Sequence, residues 1–172
     1  MSALPFREHR SSAAAAEPLN QDDAHQQVRD VLAGAVDAVL DTDSSLYTWE
    51  EARPQRDRNS GSTWCGVETM CHVSALLVGI DTGQPSDLAR ARAVDAVGRA
   101  VAGLGFEPAP QAPDGTYVWT DAKGARLDLV AGERLALRAY SAPFLPGSLQ
   151  ELRTTSPITP ISPLTPPPRQ PH

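Results

Sequence analysis

The chain has 172 residues, enough for one domain with a real core. Apolar residues make up 41% and the net charge is −6, which argues against non-specific nucleic-acid binding. No apolar run reaches the roughly 18 residues that a helical membrane span needs.

The N-terminus carries Arg7 and Arg10, but only Ala13 to Ala16 follow them. Four alanines are too short and too weakly apolar for a secretory core, and no lipid-anchor cysteine follows. As written, the chain is expected in the cytoplasm. A missing upstream signal would make it a cell-envelope or secreted protein.

Residues 1–20 lack any period and read as a disordered N-terminal segment. Asp22 or Asp23 can cap a first helix with the apolar stripe Val28, Val31, Leu32, Ala35, Val36, Val39 and Leu40. Gly34 costs that helix about 1 kcal/mol against Ala. It signals a close backbone approach, or nothing at all. Residues 41–62 are polar and loop-like, with Pro54 and Asn59-Ser60-Gly61 as breakers. Within them Leu46-Tyr47-Thr48-Trp49 reads as a short strand or a hydrophobic plug. Val73 to Ile80 reads as a buried strand, with a helix as the alternative.

A second helix is expected after Ser86, its N-cap. Leu88, Ala91, Val94, Val97, Val101 and Leu104 form its stripe. Gly105 should end it in a left-handed cap, and Pro108 stops continuation. Tyr117 to Thr120, Leu127 to Ala131 and Leu135 to Ala139 then alternate as a meander of two or three strands, joined by Asp121-Ala122-Lys123-Gly124 and Ala131-Gly132-Glu133. The expected fold is α+β: two helices packed on one face of a small, mostly antiparallel sheet, in the order α-β-α-β-β. The domain should span 21–146, between disordered termini.

Residues 147–172 form a proline-rich tail in which Pro157, Pro160, Pro163 and Pro166 each follow Ser or Thr at a three-residue repeat. Such a segment is extended, and it can serve as a docking ligand or a modification site. Cys65 and Cys71 are the only cysteines. Free buried thiols, a disulfide and a metal or catalytic role all stay open. Zinc would need Cys65, Cys71, His72 and a fourth ligand, for which His25 is available without a supporting spacing. No nucleophile elbow, phosphate loop or dinucleotide fingerprint occurs. Asp121 and Asp128 read as turn and surface carboxylates. Trp49, Trp64 and Trp119 read as core or core-rim residues, with a binding groove as the other use.

Five stretches resemble small actinobacterial lipoprotein-like proteins of the LppA type: Tyr47-Thr48-Trp49, Trp64-Cys65, the helix end Leu104-Gly105-Phe106, the hairpin after it, and Tyr140-Ser141-Ala142-Pro143-Phe144. The resemblance covers residues 22–147. It implies an envelope-attached domain with no assigned catalysis and a closing cysteine near the last strand. This chain has Phe144 there, and it lacks the lipidation signal.

The expected function is a non-enzymatic binding or protein-interaction module, envelope-related in the sense of that resemblance, with another protein as partner. No catalytic, cofactor-binding or metal residue is assigned, and no cofactor is expected. The alternatives are an inhibitor or immunity-type protein for a basic partner, and an enzyme using Cys71-His72 or Cys65.

Overall fold

The structure, a computed structural model, describes residues 16–42, 48–80, 86–112 and 114–147. The Ser/Thr-Pro repeat, with Pro157, Pro160, Pro163 and Pro166, lies outside the described residues, as does Leu46-Tyr47.

The first helix, α1 (Gln21–Thr42), is capped one turn earlier than Asp23. Asn20 Oδ1 accepts from Asp23 N at 2.7 Å, and Asn20 Nδ2 donates back to the Asp23 carboxylate at 2.7 Å. Asp22 and Asp23 instead occupy the first turn, where the helix dipole favours negative charge. Ala24, Val28, Val31, Ala35 and Val39 are buried, as the helical period predicts. The fold reaches back past residue 21: Pro18 is buried, and Leu19 bonds to Pro143 O and Leu145 N.

Four strands follow: β1 (Thr48–Arg53), β2 (Arg56–Trp64), β3 (Val67–Val73) and β4 (Leu76–Ile80). The helix α2 (Asp87–Ala102) comes next. It is followed by β5 (Glu107–Pro108), β6 (Thr116–Thr120), β7 (Arg126–Ala131) and β8 (Leu135–Tyr140). The class is α+β, but the described residues hold eight strands in the order α-ββββ-α-ββββ. The expected α-β-α-β-β order is therefore corrected. The residues read as loop at 41–62 contain β1 and most of β2. Both strands are exposed at nearly every position, so no apolar alternation marks them. Backbone ladders to β4 and β3 hold them. Val73 to Ile80 is not one strand either. Ser74 and Ala75 break it, and Ser74 Oγ accepts the Ala139 N–H at 2.9 Å.

All ladders between these strands are antiparallel, in the order β1-β4-β8-β7-β6-β5. β3 joins the end of β8 at Val73 and Tyr140, and β2 pairs with β3. Leu77, Leu127, Leu129, Leu135, Leu137 and Ala139 share one face and pack in one cluster with residues of both helices. Both helices thus cover the same face.

Ser86 caps α2, with its Oγ accepting from Ala89 N at 3.1 Å. The helix unwinds through Gly105, whose φ of 87° is left-handed. Phe106 N returns to Val101 O and Gly105 N to Ala102 O. The expected stripe is turned, however. Leu88 is 61% exposed and Leu104 49%, while Ala93, Ala96, Val97 and Val101 are buried. Small residues face inward because α2 packs closely on α1 and on Trp119. No described helix is long and apolar enough to cross a membrane.

Candidate functional site

Two clusters lie on opposite sides of the β2–β3 hairpin, built by the two-residue alternation of paired strands. Asp57 stands opposite His72, and the next pair is Arg58 opposite Cys71. The first pair faces α1 and the second faces away from it. Between Asn59 and Thr63, β2 takes four steps while β3 takes two, from Met70 to Glu68. The two extra residues bulge out, where Ser60, Ser62 and Thr69 hydroxyls contact one another at 2.6–3.0 Å.

On the helix side, His72 Nδ1 lies 2.6 Å from Asp57 Oδ1. His25, on the first turns of α1, brings Nε2 to 3.1 Å from the same oxygen and 3.3 Å from Oδ2. The two imidazoles pack at a tilt of 32° with centroids 3.8 Å apart, and Phe144 meets His25 edge-on at 6.0 Å. Gln21 Nε2 approaches Asp57 Oδ2 at 3.5 Å. His72 is buried, and the His25 and Asp57 side chains are each 28% exposed. His72 is held from the backbone: its N donates to Ser141 Oγ at 2.9 Å, and Ser141 N returns to His72 O at 2.8 Å.

On the other side, the Tyr140 ring lies between two guanidinium groups, Arg58 at 5.2 Å and Arg126 at 5.7 Å. Asp128 holds Arg126 by two bonds, at 2.5 and 3.0 Å, and this raises the Arg126 pKa further. A depression of about 210 Å³ opens between these arginines, lined also by Ser60, Cys71 and Ser141. A larger groove of about 520 Å³ lies between α1 and α2, with Asp41, Arg92, Asp95 and Arg99 on its walls. It has charges of both signs but neither thiol nor imidazole.

The structure does not bring the two cysteines together. Cys71 is buried on β3, and Cys65 is exposed in the turn before it. Strand at about 3.3 Å per residue separates their Cα atoms by far more than the ~7 Å a disulfide spans. Cys71 Sγ lies 3.4 Å from Ser141 O, and burial pushes its pKa up. His72 points to the opposite face, so Cys71 and His72 form no dyad. The Cys65, Cys71, His72 and His25 set considered for zinc is split too. His25 does meet His72, but with Asp57 as the third member. Asp121 is a turn former, accepting from Lys123 N and Ala125 N. Trp119 is core, Trp49 packs at the core margin, and Trp64 is half-buried at the hairpin end. None of the three lines the groove or the depression described above.

No protein-family model matches the chain, and no curated protein is similar to it in sequence. Its fold is similar to that of a DUF4853 family protein from Actinomyces odontolyticus, an actinobacterium. The TM-score is 0.51 at 14% identity, over 83% of this chain and 74% of that one. The likeness is one of fold alone.

Proposed function

We propose that the chain is a non-enzymatic binding domain that holds an acidic segment of another protein on its helix-free sheet face. The observation that carries this reading is Tyr140 between Arg58 and Arg126. Tyrosine and arginine dominate binding energy at protein interfaces, and a guanidinium fork matches a carboxylate in shape. The same face supplies Arg138, whose Nε is buried without a hydrogen-bond partner among the described residues. Val130 and Ile80, 37% and 40% exposed, give it an apolar margin.

Calorimetric titration with a short oligoglutamate peptide tests the reading. Binding should weaken as salt rises. It should be lost in the Arg58→Glu/Arg126→Glu double variant. Equal binding by that variant overturns the assignment.

The outer face of α1 supports a second reading, an inhibitor or immunity-type role. Asp22, Asp23, Asp30, Asp37 and Asp41 are exposed there, and Arg29 is the helix's sole Arg or Lys. A basic partner would then be lost on Asp30→Lys/Asp37→Lys and kept on Arg58→Glu/Arg126→Glu. An envelope setting is part of the proposal and rests on the LppA-type resemblance. Fractionation of the native host checks it.

A further inference from the structure

On the helix side of the same hairpin, the geometry points to a metal site: we propose that His25 Nε2, His72 Nδ1 and the Asp57 carboxylate bind a divalent transition metal, Zn²⁺ by preference. The three ligand atoms lie within 4.8 Å of one another. They come from three elements, α1, β2 and β3, and converge on one point. Two imidazoles and a carboxylate are the donor set that borderline metals take. In a tetrahedral zinc site with bonds of about 2.0–2.1 Å, ligand atoms sit about 3.3 Å apart. The His25–Asp57 separation of 3.1 Å is already close to that. The His72–Asp57 separation of 2.6 Å opens to it by less than about 1 Å, a small turn of a part-exposed carboxylate.

Both rings aim a nitrogen at the same oxygen, Asp57 Oδ1. A single cation between neutral imidazoles and the carboxylate satisfies all three groups. The part-exposed His25 and Asp57 leave a path for entry and room for a water as fourth ligand. The bound metal would clamp the start of α1 to the β2–β3 hairpin. This site is independent of the arginine face.

The test uses the full chain carrying Cys65→Ser, so that the exposed thiol does not compete, stripped with chelator and titrated with ZnCl₂. One equivalent should bind at micromolar or tighter affinity and raise the melting temperature. Ring-proton resonances of His25 and His72 should move, while those of His9 and His172 stay. His25→Gln and Asp57→Asn, which alter part-exposed positions, should each weaken binding at least about tenfold and abolish the thermal shift. Failure of the parent to bind, equal affinity in either variant, or movement of the His9 and His172 resonances instead would overturn the site.

Discussion

The Trp119 indole packs against α2 at Gly98. A Cβ added there would stand 3.4 Å from Nε1 and 3.6 Å from Cζ2. That approach explains why α2 turns small residues inward. Gly98→Leu should force the indole or the helix outward and cost about 1–3 kcal/mol. Gly98→Ala needs little movement, and its gain in helix propensity offsets the crowding. Urea melts of the two variants check the ranking.

Gly34 has no such role. A Cβ on it would meet only Leu104 Cδ1, at 3.9 Å. Gly34→Ala should therefore stabilise the chain by up to about 1 kcal/mol. A loss of stability on chemical denaturation would reveal a contact that this packing lacks.

Trp64 pairs with Val67, so Cys65 and Gly66 form a two-residue hairpin loop. Both have positive φ, 48° and 79°, as a type I′ turn requires. Cysteine fits that conformation badly, and asparagine fits it well. Cys65→Asn should raise stability by about 0.5–1 kcal/mol, read as a higher urea midpoint with an unchanged slope.

The two thiols should differ sharply in reactivity. Cys65 is exposed and Cys71 buried, with its pKa pushed up by burial. Iodoacetamide at mild alkaline pH should modify one thiol at once and the second only on unfolding. Mass spectrometry would report two rapid additions if β3 opened readily.

Asp114 accepts the Thr116 N–H at 3.1 Å, and bonds to the Thr116 side chain and backbone hold its pKa below the usual 3.8. A lowered folded-state pKa contributes stability above the unfolded value, lost as pH falls through the folded one. Carboxyl resonances followed by NMR should give Asp114 a midpoint below 3.8. Thr116→Val should move that midpoint upward, because the side-chain bond is its first cause.

The ends of α2 were legible because they are written locally. Ser86 and Gly105 sit within a few residues of what they cap. The β6–β8 meander was legible because one of its faces is buried, so the alternation of Leu127, Leu129, Leu135 and Leu137 is visible. Neither signal exists for β1 and β2, whose side chains are mostly in water. Their pairing lives in the backbone. Asn59-Ser60-Gly61 looked like a loop and is a bulge inside a strand. The rotation of α2 depends on Trp119, 21 residues past Gly98 in the chain. The His25–Asp57–His72 cluster joins residues 32 and 15 apart across three elements. Neither strand was read from the sequence, since β2 looked like loop and the strand expected after it began at Val73, so no spacing could announce the cluster. The adjacency of Cys71 and His72 suggested a pair, and strand alternation is what separates them.

The Ser60–Ser62 bulge constrains how this gene can change length. Removing or adding two residues there preserves the parity of β2, and Asp57 or its replacement stays on its own side. A single-codon change does not. Where the bulge does not absorb the change, deleting one residue slides Arg56 opposite His72, and inserting one brings Arg58 there. Either frame-preserving indel swaps a carboxylate for a guanidinium beside two imidazoles, and in the same event turns the neighbouring arginine away from Tyr140. Viable relatives should therefore differ in this loop by even numbers of residues.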